Sequence, residues 1–360
     1  MPKPLCTTKH FKLAQRLRSR IRSLSAGDPL PTVAEIKREY GVSQATAERA
    51  LDRLRRDGLV VRPPGQLRVV VAEAGDPAVR RVAMIRPDYP SPTFDELCRA
   101  IARAGAEKDW AFDLVSYRKL ETLDLKRALG DNDAAILLPP AEFFPPRLLA
   151  ALRRPRRPII IIQDPPEGAR VSSVQIDDRQ VGRLAVEHLA GLGHRRILLL
   201  LSEPAAPSGV QRAEGWRQAM ETLGEKNLDE LVVSSGTPMF AQSLVSTYEF
   251  FCRWLDNPHP EFTAIFCAAW TGAVAAMRAL REREIHIPED ISLISHGGEG
   301  MIGPFLNPPL TAVETDIAVY GKAVVELMER HFAPPHVAEH LLIPSAVVVR
   351  KTTAPARVPS

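Results

Sequence analysis

Ser43, Gln44, Ala45, Thr46 and Arg49 crowd into Gly41-Val42-Ser43-Gln44-Ala45-Thr46-Ala47-Glu48-Arg49, which mixes hydroxyl, carboxamide and guanidinium groups. Groups of these types hydrogen-bond base edges and phosphates. Residues that could do covalent or metal chemistry fall in no working pattern. Gly297-Gly298-Glu299-Gly300 lacks the Lys-Ser/Thr of a phosphate loop. His188 and His194 in "EHLAGLGH" do not form HExxH and have no evident third ligand. No GxSxG occurs. Cys6, Cys98, Cys252 and Cys267 are scattered without a CxxC pair and read as free thiols. The expectation is a chain that is not an enzyme and carries neither metal nor cofactor.

The elements that must hold the polar segment are legible around it. Leu13, Leu17, Ile21 and Leu24 recur at helical spacing, so Lys9 to Leu24 reads as an amphipathic helix bearing Arg16, Arg18, Arg20 and Arg22. Thr32-Val33-Ala34-Glu35 fits a capping box opening a second helix, with Val33, Ile36 and Tyr40 on its apolar face and Gly41 as its stop. Ser43 is a good N-cap for a third helix whose inward face is Ala47, Ala50, Leu51 and Leu54, ending at Gly58. Leu59–Arg62 and Leu67–Val71 flank Pro63-Pro64-Gly65-Gln66 as a β-hairpin. Two short helices around a tight turn, then a hairpin, read as a winged helix-turn-helix. Its second motif helix enters a major groove N-terminal end first.

Charge agrees. Residues 1–72 hold 15 Lys/Arg and 6 Asp/Glu, a net +9, whereas the rest holds 32 and 37, a net −5. A basic module on a mildly acidic body is the electrostatic footprint of a nucleic-acid-binding unit.

"LPTVAEIKREYGVSQATAERALDRLRRDGLVVRPPG" resembles the DNA-binding domain of GntR-type regulators, over residues 9–71. The resemblance implies DNA contacts from Thr32, Ser43, Gln44, Ala45, Thr46 and Arg49, with Gly65 and Arg68 at the wing. The alternative for Ser43 and Thr46 is that they serve only as helix caps. The chain departs from the family at Ala34, Gln44 and Glu48, where arginine is usual. Arginine pairs with guanine, glutamine with adenine, and glutamate accepts from cytosine. The usual family operator is therefore not carried over.

Glu73 to Pro77 is rich in Gly, Pro and charge, so residues 73–80 read as a short linker. Beyond it, apolar strands alternate with helices. Strands are expected at Val82–Ile85, Asp113–Ser116, Ala135–Leu138, Ile159–Ile162, Ile197–Leu201, Leu231–Val233, Ala264–Cys267 and Ile291–Ile294. Helices are expected at Phe94–Lys108, Arg179–Leu192, Ala213–Leu223, Gln242–Leu255 and Gly272–Arg283. The pattern implies parallel sheets covered on both faces, over a length that suits two similar lobes.

"IDDRQVGRLAVEHLAGLGHRRILLL" resembles the LacI-type sensor domain, related to periplasmic sugar-binding proteins. "RAEGW", "TAIFCA", "IPEDISLIS", "NPPLTAVETD" and "LLIPSAVVVRKTT" follow in the family's order, so the resemblance spans residues 80–353. It implies an α/β fold of two Rossmann-like lobes joined by three crossovers, with a ligand in the cleft. It places Asp164 and Arg212 as polar ligand contacts, the arginine opening a helix where it could instead pair with local acids. Trp270 and His296 stand where the family carries other groups, and Phe94 and Tyr89, in the loop after the first strand, are expected either to line the cleft or to serve packing alone. Trp270 replaces an aspartate, and Gly297 replaces another after "ISLISH". Three readings stay open: Trp270 stacks on a sugar face, the ligand is not a typical sugar, or the cleft no longer senses a small molecule. His296 is either a contact or a packed loop histidine.

The chain thus reads as residues 1–72 for DNA, 73–80 linker, 81–353 for effector binding and dimerisation, and a 354–360 tail without fixed structure. The expected function is a DNA-binding transcription regulator, a repressor, working as a homodimer on a double-stranded operator. A sugar or sugar derivative would be its effector. The alternative is a constitutive regulator whose sensor only dimerises. No run of 18 apolar residues and no signal-peptide core occur, so a cytoplasmic protein without membrane contact is expected.

Overall fold

The computed structural model describes residues 9–21, 23–25, 27–56, 59–63, 68–71, 79–88, 91–139, 144–238, 241–298, 302–332 and 337–357. The expected contacts Gly65 and Tyr89 lie outside the described residues, as do Gly58 and most of the wing turn. The chain divides into two compact units. One is built mainly from residues up to Arg81, with Lys108–Ala111; the other is Val82–Glu107 and the chain from Phe112 on.

The first unit opens with α1 (Lys9–Ile21), α2 (Val33–Tyr40) and α3 (Gln44–Arg56). Thr32 Oγ1 accepts from the Glu35 N–H at 3.3 Å, and a Glu35 carboxylate oxygen accepts from the Thr32 N–H at 2.7 Å. This reciprocal pair satisfies two donors that a helix start leaves open. Gly41 ends α2 at φ 62°, a left-handed conformation that costs glycine nothing. Strands β1 (Val60–Val61) and β2 (Val70–Val71) pair antiparallel as the base of the wing. Pro29 bridges Val70, so the segment before α2 joins the wing sheet. Leu13, Leu17, Ile21, Leu30, Ile36, Ala47, Ala50, Leu51, Leu54 and Val60 form one buried core.

The second unit contains β3 (Arg81–Pro87), α4 (Pro92–Ala106), β4 (Ala111–Tyr117), α5 (Leu125–Leu129), β5 (Ala134–Leu137), α6 (Pro146–Arg153), β6 (Ile159–Ile162) and β7 (Ser172–Ile176). Then follow α7 (Asp178–Gly191), β8 (Ile197–Leu201), α8 (Pro207–Thr222), β9 (Val232–Ser234), α9 (Ser243–Leu255), β10 (Ala264–Cys267), α10 (Trp270–Arg281), β11 (Ser292–His296), β12 (Thr311–Thr315), α11 (Ile317–Arg330), β13 (His340–Ile343) and β14 (Ser345–Val348). They build two six-stranded sheets, ordered β13-β7-β6-β5-β3-β4 and β14-β12-β11-β10-β8-β9. Strands such as Ile159–Ile162 are apolar and buried throughout, as a parallel sheet covered on both faces requires. Three crossovers join the sheets: β7 to β8 through α7, β12 to β13 through α11, and β13 directly to β14.

Several expectations change in detail. The closing segment is not one strand; Pro344 separates β13 and β14, which join different sheets. Helix α8 begins at Pro207, six residues before the expected Ala213, so Arg212 lies inside the helix rather than opening it. The tail is not without structure up to Arg357. Ala354 O accepts from the His194 imidazole and the Ser292 hydroxyl, and Ala356 N donates to Leu192 O. These polar partners come from a different part of the chain, so tail composition could not disclose them. No described helix is long and apolar enough to cross a membrane.

Candidate functional site

Two groups of residues could bind something. The first is on α3. Its inner face, Ala47, Ala50, Leu51 and Leu54, is buried, which turns Gln44, Ala45, Glu48 and Arg49 to solvent together. Ser43 Oγ accepts from the Thr46 N–H at 3.3 Å, capping the helix start, and lies 2.8 Å from the Thr46 hydroxyl. Gln44 Nε2 donates to Glu48 Oε1 at 3.0 Å. No side-chain hydrogen bond or ion pair joins Arg49 to the other described residues, so its guanidinium is available. Arg68, two residues before β2, reaches Glu35 at 3.3 Å. The Thr32 bonds hold the Glu35 carboxyl below its usual range, so that partner stays anionic. Thr32 and Arg68 thus sit around one capping carboxylate.

The second group lines a cleft of about 740 Å³, partly open to solvent, between the two sheets. One side is Phe94 and Leu97 of α4, Pro139, Phe144, the end of β6 with Gln163 and Asp164, Gln175, and Tyr320 of α11. The other is Asp178 at the start of α7 with Pro207, Ser208 and Arg212 of α8. Ligand sites in such folds lie beyond the carboxyl ends of strands, where β6 delivers Asp164. Asp164 accepts a hydrogen bond from Gln211 of α8 at 2.8 Å, a link from one sheet's strand to a helix packed on the other.

Arg212 is placed by close helix packing. A Cβ on Gly182 of α7 would lie 2.1 Å from Arg212 O, and one on Gly215 would lie 2.0 Å from Arg179 O. Only glycine lets α7 and α8 approach so closely. Arg212 Nε then donates to Asp178 at 2.7 Å, and Nη1 donates to Ala268 O at 2.8 Å, with both charged side chains nearly buried, 13% and 10% exposed. Burial raises the Asp178 carboxyl above its ordinary range, opposed by the Arg212 charge; Asp164 and Asp177 add to the rise. Burial and the Asp178 charge also push the Tyr320 hydroxyl up, keeping it a neutral donor to Val174 O at 2.7 Å.

The structure therefore brings Asp164, Arg212 and Phe94 together and leaves Trp270 and His296 outside the lining residues described. After β10, the chain offers Arg212 the Ala268 carbonyl, and Trp270 becomes the first residue of α10, half-buried beside Gly298. His296 ends β11 and is 8% exposed; burial, then the Arg212 charge, drives its imidazole well below the ordinary range. Its Nε2 has no hydrogen-bond partner among the described residues. The sequence reading did not single out Asp178, Gln163, Gln175, Ser208 or Tyr320. Asp178 had a signal, as the second aspartate of "IDDRQVG" at a helix start. The others become site residues only through the packing of two sheets.

Comparison with known proteins agrees with this architecture. Residues 11–70 match the family described as bacterial regulatory proteins, gntR family, and residues 186–353 match the periplasmic binding protein-like domain. The HTH-type transcriptional regulator DegA of Bacillus subtilis is 25% identical over 291 residues, covering 76% of this chain and 81% of DegA. A LacI family transcriptional regulator from Enterococcus faecium, solved with bound ribose, has a TM-score of 0.65 at 24% identity, covering 77% of this chain and 100% of that one. The transcriptional regulator CelR in complex with cellobiose has a TM-score of 0.66 at 22% identity, covering 90% and 100%.

Proposed function

We propose, from the match of residues 11–70 to the gntR family and of residues 186–353 to the periplasmic binding protein-like domain, that this chain is a transcription repressor whose hold on its operator is set by a small sugar-like molecule. Residues 1–72 bind DNA, residues 73–80 link, and residues 81–353 hold the effector and form a homodimer. Thr32, Ser43, Gln44, Ala45, Thr46, Arg49 and Arg68 meet the duplex. Asp164, Arg212 and Phe94 meet the effector, with Asp178 holding Arg212 in place.

The observation that carries the effector reading is the Asp164–Gln211 hydrogen bond across the cleft. A ligand accepting or donating there binds one arrangement of the lobes better than another. Only such a difference in affinity can shift the arrangement and, in a dimer, the two DNA-binding domains. Ribose and cellobiose occupy the solved relatives and head the ligands to try.

A second reading has its own support. Arg212 is already engaged by Asp178 and Ala268 O, so the cleft has less unspent polar capacity than a sugar site needs. A constitutive regulator whose sensor only dimerises fits that fact.

Calorimetry with a panel of pentoses, hexoses and disaccharides separates the two, paired with operator binding at several salt concentrations. We expect ordinary monosaccharides to bind weakly, and one panel member to bind, change operator affinity at least about tenfold, and fail to do so in Asp164→Asn and Phe94→Ala. If no member binds or alters operator affinity, the constitutive reading stands instead.

A further inference from the structure

We propose that Gln44 and Glu48 act as one acceptor unit that reads cytosine on one strand of each half-site and refuses guanine there. The inference rests on the DNA-binding reading above and deepens it.

Both side chains are exposed, one helical turn apart, at the N-terminal end of α3. That end of a recognition helix approaches base edges. Gln44 Nε2 spends a hydrogen on Glu48 Oε1 at 3.0 Å. The bond leaves Gln44 Oε1 and Glu48 Oε2 as acceptors on an exposed face, with one Nε2 hydrogen still to donate. Among the described residues no cation pairs with Glu48: Arg55 pairs with Asp52, and Arg68 with Glu35.

Cytosine presents its N4 amine in the major groove, the donor that a carboxylate accepts. Guanine presents O6 and N7, both acceptors, which face an anionic carboxylate unfavourably. Ala45, one residue on, has only a methyl group to offer, which suits contact with a thymine methyl.

The charge of Glu48 argues for a readout role. An acid on the groove-facing helix repels phosphates and weakens binding to every sequence. Its hydrogen bond to Gln44 is an exposed i,i+4 pair, which stabilises a helix only slightly. Arg49 beside it and the net +9 of residues 1–72 supply the general attraction. Under that attraction, a lone acid can discriminate between bases without losing the duplex.

The experiment is selection from randomised duplexes with the full-length protein and its Glu48→Ala, Glu48→Arg and Gln44→Ala variants. Circular dichroism checks that each keeps wild-type helicity. The wild type should fix cytosine at one position per half-site, and guanine there should cost about ten- to a hundredfold in affinity. Glu48→Ala should level that position while raising affinity for random duplex. Glu48→Arg should turn the preference towards guanine, and Gln44→Ala should weaken the preference without abolishing it. A Glu48→Ala protein that keeps the wild-type preference overturns the proposal, as does a wild-type site that already fixes guanine where Glu48→Arg has no effect. A wild type that selects no site overturns the DNA-reading premise instead.

Discussion

Helix α3 and the cleft place their polar groups in opposite ways. On α3, one helix of 13 residues carries Gln44, Ala45, Glu48 and Arg49 outward, and its partners in the core are small or aliphatic. Water already solvates those groups, so they form a surface as soon as the helix forms. In the cleft, Asp164, Asp178 and Arg212 come from a strand end and the two helices α7 and α8, and the ion pair is nearly buried. Those groups depend on each other. An exposed interaction contributes little to stability and can be changed freely, whereas a buried one supports the fold that contains it. Specificity for DNA should therefore be alterable with little cost, and changes in the cleft should cost stability first.

The largest effect expected from that contrast is on Arg212. Arg212→Ala leaves the Asp178 carboxylate buried next to Asp164 and Asp177, and should lower unfolding stability by about 3–5 kcal/mol. Replacing both partners, as Arg212→Met with Asp178→Leu, should recover most of the loss in urea unfolding. A single variant within about 1 kcal/mol of wild type would show that the pair behaves like a surface pair, and the contrast would break.

A smaller effect is expected from pH. His188, His194 and His296 all have imidazoles below their ordinary value of 6.5, chiefly through burial. Groups depressed in the folded state add stability that is present above the unfolded value and lost as pH falls through the folded value. Melting temperature should therefore drop as pH is lowered from about 6.5, and His296→Phe should flatten the drop. His194 should matter less, because Ala354 O still accepts from it once it is charged. A melting temperature that is level or rises on acidification in this window would contradict the burial of these rings.

The smallest effect is on the exposed side. Thr32→Ala removes one half of the capping box and should cost about 1 kcal/mol. The Glu35 carboxylate keeps its bond to the backbone N–H of residue 32, so its pairing with Arg68 and the salt dependence of duplex binding should be unchanged. Unchanged stability would mean that the α2 start is held by its tertiary contacts and not by its cap.

Much of this was readable from local pattern. Continuous apolar runs disclosed Ile159–Ile162, Ile197–Leu201 and Ala264–Cys267 with the ends the structure shows. Strands β7 and β12 were not separated out, because Ser172-Ser173-Val174-Gln175-Ile176 and Thr311-Ala312-Val313-Glu314-Thr315 mix polar with apolar residues. Their hydroxyls are buried only because distant residues complete them. Ser172 bonds the His331 imidazole at 2.6 Å, Ser173 bonds His340 at 2.9 Å, and Thr315 bonds Ser345 at 2.7 Å. A polar residue can occupy a core strand once it is hydrogen-bonded, and the partner's position is invisible in the local pattern.

The same divide separates the two functional regions. Local pattern is enough for α3: a serine cap, an inward apolar stripe and the residues between them settle which side chains face out, since helical periodicity is a local property. It also determined the alternation of strands and helices that makes the two lobes. Packing between distant segments sets that Arg212 bonds Asp178 and Ala268 O, that Asp164 is met by Gln211, and that Trp270 begins α10 beside Gly298. Those outcomes follow from how closely Gly182 and Gly215 let two helices approach, and from three crossovers that bring distant segments to one place. Such distances are set by packing, because a buried charge takes whichever partner the assembled fold puts within hydrogen-bond reach.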